Sequence, residues 1–212
     1  MGLTDSVLED LSAAVTRDSP FSNPAMWMAL FNQDPGPGAG LVGEITNGTG
    51  VEARQLVTFS GSDGTDSSTA ADTFTVPSGS TVTWIGFFDL QTGGAFLGGF
   101  PLVGAQQLAI GISGAATIYA PGHGRSIGDP VRCFTVPGIT SSIPGGLAAD
   151  TVYFVQSVTA NTLTLSATDV GAAIDLISSG AFSFALDDSQ TFALTGNLVF
   201  PATSGVVYET AS

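Results

Sequence analysis

The chain contains no lysine, one cysteine, one histidine and only four arginines in 212 residues. Against those four cations stand 18 acidic residues, for a formal charge of −14. Nucleic-acid binding through phosphates needs a basic patch, and this composition supplies none. The same excess of acid favours solubility and discourages random self-association. A lone cysteine, Cys133, excludes an internal disulfide and any multi-cysteine metal site. Between Val131 and Phe134 it reads as a small buried apolar residue. His123 and Cys133 cannot by themselves close a zinc site. A Ser/His/Asp hydrolase would have to use His123, in Gly122-His123-Gly124, and the chain has no G-x-S-x-G elbow. No glycine-rich segment carries a lysine, so no phosphate loop is expected. No run approaches the roughly 18 apolar residues of a membrane span. MGLTDSVLEDLS is acidic where a secretory signal is basic, so no targeting segment is expected. Counting alone leaves a carboxylate pair for glycoside hydrolysis open, and Asp63-Gly64-Thr65-Asp66 lacks the twelfth-position carboxylate of an EF-hand. The expectation is a protein with no catalytic, cofactor-binding or metal residues.

Charged residues are 10% of the chain, hydrophobic residues 43%, and 28 residues are glycine. With Thr, Ser, Val and Phe abundant, that pattern predicts an all-β protein with many turns rather than disorder. The densest stretch is Thr81 to Phe100. At period two, Val82, Trp84, Gly86, Phe88 and Leu90 share one face, and Thr83, Ile85 and Phe87 the other. Both faces are apolar, which predicts a strand buried on two sides. Gln91-Thr92-Gly93-Gly94 offers the positive-φ positions of a hairpin, and Ala95 to Phe100 returns as a strand.

Elsewhere, Val7, Leu8, Leu11 and Val15 fall on one face of a helix over residues 4–16, with Ser6 and Glu9 at capping-box spacing. Ala25 to Phe31 reads as a strand, Asn32 to Gly38 as a loop, and Val51 to Phe59 as the next strand. Ser60 to Asp72 reads as a polar loop, Asp72 to Val76 as a short strand, and Pro77-Ser78-Gly79 as a turn.

Three segments in order, Trp27 to Gly36 (WMALFNQDPG), Ala53 to Phe59 (ARQLVTF) and Ile85 to Gly94 (IGFFDLQTGG), carry a resemblance. They resemble a family of small virion proteins of tailed phages, particularly those of actinobacteria. Its members are tail-fibre-like, capsid decoration or minor capsid proteins. The closing pattern of that family falls late, at Gln190 to Leu198. The residues between resemble a second phage β-module, matched at His123 to Val131, Gly146 to Val155 and Ala160 to Leu176. Pro130 departs from it at the start of a strand. The expected architecture is therefore a β-sandwich-like host domain with a short N-terminal helix, residues 1–111 and 183–212, and a small inserted β-domain at 112–182.

The resemblance implies a non-enzymatic structural protein on the virion surface, assembled in the bacterial cytoplasm. The host domain would attach to the particle and the insert would project. Partners would be the major capsid protein or tail proteins and further copies of the chain, a trimer being favoured, with no nucleic acid and no membrane. Val7, Leu8, Leu11, Val15, Phe200, Val207 and Tyr208, with Val199 and Val206, are the candidate contact residues, the alternative being that they are core and the helix packs on its own sheet. Capsid decoration is the first reading, because the chain is short and lacks a fibre's repetitive shaft. The alternative is a tail-fibre or minor tail protein touching the host surface. It would include glycan binding if Tyr119, Tyr153 or Phe154 share an exposed face.

Overall fold

The computed structural model describes residues 26–36, 42–46, 53–62, 65–68, 70–136, 142–200 and 205–207. The expected helix over 4–16 lies outside them, and with it Val7, Leu8, Leu11 and Val15. Among the described residues every regular element is a strand, so the protein is all-β. They form two compact units: one up to Leu102 and again from Ser189 onward, the other Val103–Asp188.

In chain order the strands begin with β1 (Met26–Phe31), β2 (Gln55–Val57), β3 (Phe59–Ser62), β4 (Thr65–Ser68) and β5 (Asp72–Val76). Then come β6 (Thr81–Val82), β7 (Trp84–Phe88) and β8 (Phe96–Pro101). The second unit holds β9 (Gln107–Gly111), β10 (Ile118–Tyr119), β11 (Pro130–Phe134), β12 (Val152–Val158), β13 (Thr162–Ser166) and β14 (Gly180–Leu186). The chain returns to the first unit with β15 (Gln190–Thr191), β16 (Gly196–Phe200) and β17 (Gly205–Val207).

The first unit is built on an antiparallel sheet ordered β2-β1-β7-β8. Strand β7 lies inside it, and its two-sided apolar pattern is used on both faces. On one face Met28, Leu30, Ile85 and Phe87 pack with Phe74 and Val76 of β5 and with Leu198 and Phe200 of β16. Because β5 and β16 pair with each other, Leu198 opposite Phe74, they form a second layer over that sheet. The other face gathers Ala29, Phe31 and Phe88, rimmed by Trp27, Trp84 and Phe96. Gly86 is needed there. A Cβ on it would lie 2.6 Å from the Phe31 ring and 2.8 Å from that of Phe96.

Two expectations are corrected. Ser60 to Asp72 is not all loop: β3 and β4 form a hairpin, and β17 pairs onto β4. Their Ser, Thr and Gly residues satisfy the backbone in a ladder without any apolar alternation to betray it. Leu90 leaves the strand and is exposed in the turn, because β7 ends at Phe88. Gly93 and Gly94 do take positive φ, +65° and +77°.

The second unit is a closed barrel, β10-β13-β12-β11-β14-β9, in which β9 pairs back onto β10. Alternate residues point inward, among them Val131, Cys133, Val155, Leu165, Phe182 and Phe184. The insert is expected at 112–182, whereas the compact unit runs Val103–Asp188. The reason is the ladder between β9 and β14, which carries Gln107 to Gly111 and the end of β14 into the barrel. Pro130 is the first residue of β11, a position that tolerates a missing N–H.

Candidate functional site

The charged groups of so acidic a chain are informative because arginines are so few. Arg54 precedes β2 and is buried. Its Nε and Nη2 donate to the two carboxylate oxygens of Glu44, each at 2.8 Å. Its Nη1 donates to the Leu90 carbonyl at 3.2 Å and to the Gly93 carbonyl. Glu44 is itself bridged to Phe31 at the end of β1. The β7–β8 turn is also closed from within, since Asp89 Oδ1 accepts from the Ala95 N–H at 2.7 Å. The outcome is a solvent-exposed turn, residues 90–95, whose backbone is held by a buried cation.

In the barrel, Arg132 is buried on the outside of β11. It donates from Nε to Asp187 Oδ1 and from Nη1 to Asp150 Oδ1, both at 3.0 Å. Asp150 sits at φ +53° and donates its N–H to the Cys133 carbonyl at 2.9 Å. Cys133 is fully buried, and desolvation pushes its thiol up to about 12. His123 accepts the Arg125 N–H on Nδ1 at 3.0 Å, which places its proton on Nε2, 2.8 Å from the Thr159 carbonyl. Nδ1 thus closes the 122–125 turn on itself, and Nε2 ties that turn to Thr159.

Most of the candidate contact residues fall outside the described residues. Tyr208 lies outside the described residues, as do the four helix positions. Val207 lies in β17 opposite Thr65. Phe200 is half-buried, its ring edge-on to Phe74 at 5.9 Å, while Val199 is exposed. Of the three barrel aromatics, Tyr153 is in the core, its hydroxyl accepting from the Ala148 N–H at 2.8 Å. Phe154 is half-buried, and Tyr119 alone is exposed.

A sequence model of a phage protein family, podophage GP4 fiber I protein gp80, matches residues 2–113. That is more than half of the chain. The chain belongs to this family. It is thus a structural protein of a bacteriophage, a component of the virion. No curated protein matches the chain. The match spans Trp27 to Gly36, Ala53 to Phe59 and Ile85 to Gly94, the segments that meet around Arg54, and it stops short of most of the barrel. Because the family is named for a fibre protein, capsid decoration draws no support from it, and the tail-fibre alternative fits better. The tie between Arg54 and the 90–95 turn escaped the sequence reading. Its signal was an arginine, one of four in the chain, inside an apolar strand motif.

Proposed function

We propose that this protein is a non-enzymatic tail-fibre component that contacts the host cell surface. The observation that supports this reading is the fibre-family match over residues 2–113. In this proposal the first unit joins the chain to other tail proteins, and the barrel, a phage β-module, makes the outward contact. The Arg54-held turn suits a docking role, since a loop fixed before binding loses little conformational entropy on contact. The charge of −14 turns the chain away from the packaged genome and toward protein or envelope partners.

The test is the copy number per purified virion, measured by mass spectrometry against the major capsid protein. A handful of copies, in multiples of three or six, is expected for a fibre. Hundreds of copies would overturn the proposal in favour of capsid decoration, and absence from the particle would overturn any structural role. A tail contact with the host further requires that excess purified chain slow adsorption of the phage to its host. No slowing would remove the host-surface part of the proposal.

A further inference from the structure

Strand β9 is built the opposite way round from its neighbours. Its small residues, Ala109 and Gly111, are buried toward the barrel interior, while its large ones face solvent. Leu108 is 61% exposed, Ile110 51% and, just beyond the strand, Ile112 56%. Tyr119, 46% exposed, lies directly opposite Ile110 on β10, and Ala181 lies opposite it on β14. A one-residue slip would turn the isoleucines inward. Gly111 forbids it, because a Cβ there would come 2.5 Å from Pro144 and 2.7 Å from Leu176. The fold therefore holds a row of large apolar side chains on the surface, where isolated exposure is common but a contiguous patch marks an interaction site.

The charge pattern identifies the occupant. Strands β9, β10, β12, β13 and β14 contain no charged residue, and none occurs between residues 104 and 124. Two copies of a chain bearing −14 repel wherever their acidic surfaces meet, and a charge-free apolar face is where they can approach. A cationic partner would be drawn to the acidic surface instead. A glycan needs an array of polar groups, and this row offers only the Tyr119 hydroxyl. Closure of the barrel leaves no strand edge, so the contact is side chain against side chain and not strand addition. We propose that the face formed by Leu108, Ile110, Ile112 and Tyr119 is where a second copy of this chain docks. This inference goes beyond the fibre reading and does not depend on it.

The experiment is sedimentation of the full chain over a range of concentrations, at low and at high sodium chloride. Wild-type protein is expected to self-associate, more tightly at high salt, because salt screens the repulsion between copies and leaves the apolar contact intact. Ile110→Asp and, separately, Leu108→Asp are expected to weaken association by roughly tenfold or more. Both positions are exposed, so circular dichroism should match the wild type. Leu194→Asp, an exposed apolar site in the first unit, should associate as the wild type does. A monomeric wild type would overturn the inference. So would aspartate variants that associate normally, or association that weakens with salt. None of these results bears on virion copy number, so the two proposals fail separately.

Discussion

The guanidinium carbon of Arg54 lies 3.3 Å above the centroid of the Phe88 ring, so a buried cation caps the end of the central strand. The contact joins two of the segments that carry the family resemblance. Phe88 belongs to an aromatic cluster with Phe31 and Phe96, its ring 5.4 Å from Phe96. Stacking on Phe88 and pairing with Glu44 leave the guanidinium in a single orientation, with its remaining donor aimed at the turn carbonyls.

Arg54→Ala is therefore expected to destabilise the first unit by about 3–5 kcal/mol, because it leaves the Glu44 carboxylate and two carbonyls without their donor. Arg54→Lys should recover only part of that loss, since an ammonium cannot make the paired Glu44 contacts or lie flat on the ring. The two tryptophans, Trp27 and Trp84, both lie in this cluster. Tryptophan fluorescence during denaturant unfolding thus reports the first unit. An unchanged midpoint in Arg54→Ala would contradict the assigned role.

Much of this arrangement was legible in advance, and the limits are physical. Strand β7 showed itself because Ile85, Phe87 and Phe88 need burial on both faces, and Gly93 with Gly94 supplied a turn only glycine takes readily. Cys133 was readable from Val131 and Phe134 beside it. The β3–β4 hairpin was not, since its Ser and Thr residues give the same polar signal in a ladder as in a loop. Barrel closure rests on Ile118 and Tyr119 alone in β10, too short a run for periodicity to register. The ion pairs were hidden for another reason. Arg132 reaches Asp187 across 55 residues of sequence, and only the fold brings them together. The outward face of β9 left an alternation of large and small apolar residues, but alternation does not say which set faces in.

Alkaline pH should expose the burial of Cys133. Its thiol is raised from 9.0 to about 12 by desolvation, so the folded state keeps a proton that the unfolded chain releases first. Below pH about 9 both states are protonated and stability does not depend on this group. Between about 9 and about 12 the unfolded state is favoured increasingly, with a limiting slope of about 1.4 kcal/mol per pH unit. Cys133→Ala should be less stable at neutral pH, through the small cavity it opens, yet flatter across the alkaline window. Denaturant melts of both proteins from pH 8 to 11 check this. Parallel curves would show that the thiol stays protonated in neither state or in both.

The Arg132 network should show an uneven division of labour between its two acids. Asp187 accepts from Nε and is the more buried partner, its side chain 10% exposed against 25% for Asp150. Asp150 also holds a left-handed backbone conformation, which costs a non-glycine residue on the order of 1 kcal/mol. Asp187→Asn is accordingly expected to cost more than Asp150→Asn, because it leaves a buried guanidinium short of charge. Asp150→Gly should come close to neutral, as the relief of backbone strain offsets the loss of the more exposed ion pair. Arg132→Ala should be the most damaging of the set, since it leaves two carboxylates facing each other without a cation. Calorimetry of the four variants gives the order directly. If Asp150→Gly proved as costly as Asp187→Asn, the strained aspartate would be holding the barrel through its charge and not through its backbone.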